Sequence, residues 1–152
     1  MFKIQVKPEQ LLTLPVIWAS VDYREVSSST IDQEFQLNVS LSGTGHGLLV
    51  WFDAELAGGI EFSNAPGQPD LVYGRTFFPW ERPVNLEAGD RIATRLAAKR
   101  IGRDYLWRWE SIIFSNSGEI KEKFKQSTFA SMLLSEAGLK KKGTSLCLSS
   151  KS

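Results

Sequence analysis

Alternation of apolar and polar residues with a period of two is the feature that most restricts what this chain can become. Phe35, Leu37, Val39 and Leu41 alternate with Gln36, Asn38 and Ser40. Such a run fits an antiparallel strand with one face buried and the other wet. Leu48, Val50, Phe52, Ala54 and Leu56 repeat the pattern, with Ser42-Gly43-Thr44-Gly45 between the two runs as a hairpin turn. Ile92, Thr94, Leu96 and Ala98 form a third run; Tyr105, Trp107, Trp109, Ser111 and Ile113 form a fourth, after the turn Gly102-Arg103-Asp104. Shorter strands are expected at Val16–Tyr23, Ile60–Ser63 and Val72–Phe78, with turn chemistry at Gly58-Gly59, Asn64-Ala65-Pro66-Gly67 and Ala88-Gly89-Asp90. Many short strands at close spacing predict a mainly β fold, an antiparallel barrel or sandwich.

Helix is confined to the ends. Pro8 suits the first position of a single turn over Lys7–Leu12. Beyond Phe124, Ser127 or Thr128 is placed to cap a short C-terminal α-helix with Phe129, Met132, Leu133, Glu136 and Ala137 on one face. Lys140-Lys141-Lys142 suits its negative end, and Gly143 its C-cap. The expected organisation is a β-barrel domain over residues 1–124, an amphipathic helix over 125–143 and a disordered tail over 144–152.

Charge and cysteine usage narrow the function classes. Eighteen basic residues against seventeen acidic leave a formal net charge of +1, so no basic stripe points to nucleic acid. The apolar runs are shorter than the about 20 residues a membrane helix needs. A single cysteine, Cys147, cannot close an internal disulfide, and MFKIQVKPEQ has no signal-peptide pattern. Cytoplasmic residence is the expectation.

The chemistry-bearing motifs each have a structural reading. Gly43-Thr44-Gly45-His46-Gly47 has the form of a dinucleotide loop, but the flanking segments alternate like strands and no helix follows, so it reads as hairpin glycines. His46 is the only histidine, which rules out a His-pair metal site; no metal site is expected. Asp53 and Glu55 lie two apart on one strand face, suitable for paired-carboxylate work or simply a solvated face. Tyr105, Trp107 and Trp109 share one strand face, which would serve as a stacking platform for a carbohydrate or fill a barrel interior. Trp80, between Pro79 and Pro83, reads as a turn residue open to solvent.

The order of several stretches resembles the C-terminal β-barrel of the protein arginine methyltransferase family. They are Val6-Lys7-Pro8-Glu9-Gln10-Leu11-Leu12, Val21-Asp22-Tyr23 and His46-Gly47-Leu48-Leu49-Val50-Trp51-Phe52-Asp53. Phe62-Ser63-Asn64-Ala65-Pro66 is similar to that family's FSTxP turn, and Arg75-Thr76-Phe77-Phe78, Pro83-Val84 and Ala88-Gly89-Asp90 continue the register as far as about residue 114. The resemblance implies a non-catalytic barrel that packs against an S-adenosylmethionine (SAM)-binding catalytic domain and forms one wall of a substrate groove. SAM and the family's catalytic glutamates would belong to that other domain, so this chain alone is expected to bind no cofactor and to carry no catalytic residue. The family's Thr-His-Trp loop falls on Leu71-Val72-Tyr73; Val72 cannot titrate or make a charge-assisted hydrogen bond, so the histidine's role is lost. Tyr73 and Arg75 are the substrate-groove candidates. Expected partners are the SAM-binding domain or a protein substrate, with a homo-oligomer left open. The competing reading is a free-standing binding module that uses the Tyr105–Trp109 face.

Overall fold

The two longest alternating runs build the centre of the molecule. β6 (Arg91–Ile101) and β7 (Asp104–Phe114) pair over their full length, from Arg91 opposite Phe114 to Ile101 opposite Asp104. Their inward residues, Ile92, Leu96, Ala98, Trp109 and Ile113, are all buried, as the period of two requires. The computed structural model describes residues 6–26, 28–69, 71–129 and 132–134.

Around that pair stands a five-stranded antiparallel sheet in the order β1-β6-β7-β8-β9. β1 (Ile31–Asn38) flanks β6, while β8 (Ile120–Phe129) and β9 (Met132–Leu134) continue beyond β7. Two ribbons complete the described strands, β2 (Gly43–Val50) with β5 (Thr76–Leu86) and β3 (Asp53–Leu56) with β4 (Ile60–Ser63), and Pro8–Gln10 forms the single helical turn expected near the start. Val39, Leu48, Phe78, Trp80, Val84 and Leu86 cover the inner face of the sheet and form one core with it.

The expected mainly β, antiparallel class holds, but the strands do not close into one hydrogen-bonded barrel. The reason lies in β5. Between Gly45, paired with Val84, and Gly47, paired with Pro79, only His46 on β2 faces the four residues Trp80–Pro83 on β5. Prolines 79 and 83 supply no N–H, so a ladder from β5 to another strand is broken there. Side chains join β5 to β8 instead. Trp80 stacks on Phe124 at 5.5 Å and 11°, and the Arg82 guanidinium lies 5.7 Å over the same ring. Arg82 also grips Glu122 through two hydrogen bonds of 3.2 and 2.5 Å.

Several local expectations are corrected by this arrangement. Residues 125–129 of the expected C-terminal helix are strand: Ser127 pairs with Arg108 and Leu134, and the Trp107 amide donates to Thr128 Oγ1 at 3.0 Å. Lys121–Thr128 alternates with Phe124 and Gln126 inward, a period of two that the 3.6-residue spacing of Phe129, Met132 and Leu133 disguised. Residues 135–152, including the rest of that helix and the tail, lie outside the described residues. β1 and β2 are not a hairpin pair, because each takes a different partner, β6 and β5. Val16–Tyr23 forms no strand. The Leu48–Leu56 run is broken at Trp51-Phe52, which separates β2 from β3.

The glycine motif is strand, not turn. A Cβ at Gly45 would lie 2.7 Å from Leu86 Cδ1 and 2.8 Å from Trp80 Cζ3. At Gly47 it would run into the Phe78 carbonyl oxygen and come within 2.7 Å of Pro79 Cα. The glycines are therefore seats for the buried aromatic and proline side of β5.

Candidate functional site

The groove candidates sit on a loop whose base is tightly held. Asn64, directly after β4, is buried, and its backbone N–H donates to the Phe52 carbonyl at 3.2 Å. Its side-chain Oδ1 accepts from the Phe52 N–H at 2.8 Å, and its Nδ2 donates to the Gly74 carbonyl at 2.9 Å. One asparagine thus ties together the start of the β3–β4 ribbon and both ends of the 64–74 loop. This satisfies a buried polar group that would otherwise be costly.

Arg75 completes the clamp. Its Nε donates to the Asn64 carbonyl at 2.6 Å, and its terminal NH2 donates to the Ala65 carbonyl at 2.9 Å. The guanidinium is directed at the loop backbone. Ser63 Oγ donates to Asp53 Oδ1 at 2.5 Å and accepts from the Ala65 N–H at 3.0 Å, locking the Asn-Ala-Pro corner to β3. Beyond this base the loop presents Val72, 90% exposed, and Tyr73, 65% exposed. The Tyr73 ring meets Phe52 edge-on at 5.8 Å, and Phe52 meets Phe62 likewise at 5.6 Å. Tyr73 is thus an outward aromatic on a tightly hydrogen-bonded base.

The structure disperses the other sequence candidates. Trp109 is fully buried, with its indole N–H donating to the Pro79 carbonyl at 3.0 Å. Trp107 is half-buried between Trp18 and Phe78, with ring centroids 6.3 and 5.2 Å away, and Tyr105 is exposed near the β6–β7 turn. Only Tyr105 and the outer part of Trp107 reach the surface. His46 is exposed on β2, and among the described residues no side-chain hydrogen bond or ion pair joins it to Asp53 or Glu55. Asp53 and Glu55 lie exposed on the β3–β4 ribbon. Trp80, expected in an open turn, is buried, because β5 runs through it as strand and its side chain points inward with Phe78, Val84 and Leu86, onto Ser111 and Phe124. Among the described residues no group of three or more His, Cys, Asp or Glu is arranged to hold a metal ion.

Two residues carry more than the sequence disclosed. Asn64 is the first; its signal was a turn-forming residue ahead of Ala-Pro. Asp90 is the second, a carboxylate only 1% exposed. It accepts from the Glu87 N–H at 2.9 Å, the Asn116 N–H at 3.1 Å and Lys121 Nζ at 2.8 Å. Burial pushes its pKa up, but the Lys121 ammonium and the two amides more than offset this and hold it below the ordinary carboxylate value. Asp90 ties the β5–β6 turn to the β7–β8 turn and to β8.

Comparison with known proteins fits this description. Residues 2–105 match the family model described as the arginine methyltransferase oligomerization subdomain. An arginine N(omega)-methyltransferase of Streptomyces achromogenes subsp. streptozoticus is 31% identical over 65 residues, covering 43% of this chain and 18% of that protein. The crystal structure of Arabidopsis thaliana protein arginine methyltransferase 10, described in a uniquely open conformation, superposes with a TM-score of 0.70 at 22% identity. That match covers 84% of this chain and 41% of the plant chain. The chain therefore spans less than half the length of either relative. On the family match, this chain belongs to the arginine methyltransferase oligomerization subdomain family.

Proposed function

We propose that the chain is the non-catalytic barrel-like part of a SAM-dependent, arginine-methyltransferase-type enzyme, docking on a SAM-binding catalytic domain and walling one side of a substrate groove in the cytoplasm. The observation that carries this reading is the clamp of Asn64 and Arg75 on the 64–75 loop. Five hydrogen bonds that fix a loop while leaving its Val72-Tyr73 apex open suit a wall that must keep its shape as substrate passes. Tyr73 would then contact substrate. Arg75 would act as a positioning residue, since its donors already hold the loop backbone.

With Val72 where the family has histidine, the wall offers a substrate apolar surface and a phenol rather than an imidazole. SAM would be held by the catalytic domain, where it supplies the methyl group.

The test mixes this chain, radiolabelled SAM and a panel of arginine-bearing proteins, with and without a separately produced arginine methyltransferase SAM-binding domain. No transfer by the chain alone, and transfer or altered substrate choice when the domain is added, supports the proposal. Robust transfer by the chain alone overturns it. In the combined system, Tyr73→Ala is expected to raise KM about tenfold with little change in kcat.

A further inference from the structure

The β6–β7 hairpin outruns the sheet that it centres. β1 reaches β6 only as far as Ala98, and β8 pairs with β7 only from Arg108 onward. Residues 99–101 and 104–106 therefore pair only with each other, leaving a two-stranded tip that ends in the Gly102-Arg103 turn. Arg100 Nε steadies that turn by donating to the Gly102 carbonyl at 3.0 Å.

Cations and apolar side chains share this tip. Lys99, Arg100 and Arg103 are exposed, and among the described residues none of them has an ion-pair partner. Asp104 is the one acid between Lys99 and Leu106. Farther down the same two strands the cations are matched, Arg95 with Asp32 and Glu34, and Arg108 with Glu110. Ile101 is 55% exposed and Tyr105 48%. The register decides how these groups are spread. Arg100 lies directly opposite Tyr105, on the face that Ala98 and Trp107 share, whereas Lys99 and Ile101 lie on the other face, opposite Leu106 and Asp104. Each face of the tip thus carries one cation and one exposed apolar residue, with Arg103 in the turn between them.

That distribution chooses between partners. A protein surface would cover one face of a two-stranded ribbon and leave an isoleucine or a tyrosine in water on the other. A nucleic acid calls for a longer basic stripe and a row of stacking rings, whereas the formal net charge here is +1 and Ile101 adds nothing to a phosphate contact. A lipid interface surrounds a tip that dips into it. It takes apolar side chains on both faces, seats a tyrosine at headgroup depth and meets cations with phosphates. We propose that the tip of the β6–β7 hairpin docks on the surface of an anionic phospholipid bilayer, with Ile101 and Tyr105 in the headgroup layer and Lys99, Arg100 and Arg103 on lipid phosphates. The inference does not depend on the substrate-groove reading, which rests on residues 64–75.

The test is flotation of the full chain with vesicles of phosphatidylcholine alone, or with about 30% phosphatidylserine, at about 0.05 M and 0.5 M salt. Binding to the anionic vesicles is expected to be at least about tenfold stronger than to neutral ones and to be lost at the higher salt. Arg103→Glu should weaken it about tenfold and Ile101→Ser about threefold. Lys123→Glu makes the same change in net charge at an exposed lysine of β8 and should stay within about twofold of wild type. Native circular dichroism checks each variant, and Arg103→Gln, with an expected loss of about fivefold, serves if Arg103→Glu does not fold. Equal binding to both kinds of vesicle, no binding to either, or an equal loss in Lys123→Glu overturns the proposal. So does an RNA oligomer that binds with the same dependence on Arg103 while the vesicles do not.

Discussion

The outer face of the five-stranded sheet and the β3–β4 ribbon are both solvent-facing β surfaces rich in charge, yet they are built on opposite rules. Across the sheet, Glu34, Arg95, Glu110 and Lys125 stand in one transverse row, so each cation has an anion beside it. Arg95 clasps Asp32 through two bonds of 2.8 Å, and Asp32 is drawn below its usual pKa chiefly by that bond while Arg95 is raised. In the ribbon, Glu55 and Glu61 face each other, and among the described residues neither has an ion-pair partner. The sheet surface neutralises itself within one chain, whereas the ribbon keeps its negative charge open to solvent. The same contrast holds beneath the charges. The sheet rests on a closed apolar core, whereas the ribbon rests on one asparagine and a small aromatic cluster.

The largest test of this contrast is Trp109→Ala, which should cost about 4 kcal/mol in chemical denaturation and unfold the chain cooperatively, ribbon included. A loss of less than about 1 kcal/mol would break the comparison.

Asp90→Asn follows, at about 2–3 kcal/mol near neutral pH, since the half-buried Lys121 ammonium loses its carboxylate partner. Its pH dependence has a definite sign. With the folded pKa held low, the stabilisation is fully present above the unfolded carboxylate value of about 3.9 and fades as pH falls through the folded value. The gap between wild type and Asp90→Asn should therefore shrink in acid; a gap that grows there would contradict the Lys121 pairing.

Asn64→Ala should cost about 1–2 kcal/mol and act locally. Hydrogen exchange is expected to accelerate over residues 52–75 while β6 and β7 remain protected. Uniform acceleration would show that the ribbon is no separate unit. Smallest of all, Asp32→Asn should leave the melting temperature within scan reproducibility, because the pair it breaks is well exposed. A clear loss there would mean that the outer charge row is structural after all.

How much of this could be read in the chain follows from how many apolar residues each strand turns inward. β6 and β7 each turn three apolar side chains inward, Ile92, Leu96 and Ala98 on one and Trp107, Trp109 and Ile113 on the other, and their alternation is plain. β8 turns in Phe124 and Gln126 between lysines, so half its inward pattern is polar and a competing helical spacing prevailed. Val16–Tyr23 alternates convincingly, yet Ile17 and Tyr23 are each 88% exposed and only Trp18 packs inward, on Trp107. Trp80 reads as a turn residue because two prolines flank it, although its inward side is the period-two face of Phe78, Val84 and Leu86 in a strand that runs through both prolines. The loop of the candidate site was legible as a motif, Phe62–Pro66 and Tyr73–Arg75. The inward aim of Arg75 was not, since nothing local specifies which carbonyls its guanidinium will meet.

The β5–β8 seam has a consequence for how such a fold can diversify. Backbone ladders are indifferent to side-chain identity, so strands joined by them keep their spacing through most substitutions. Here the join is three side chains, Trp80, Arg82 and Phe124, with Glu122 as anchor. Their sizes set the distance between the two strands. A single exchange at any of them alters the girth of the molecule without rewriting its topology, which makes this seam the place where related sequences can widen or narrow the interior while the rest of the sheet stays fixed.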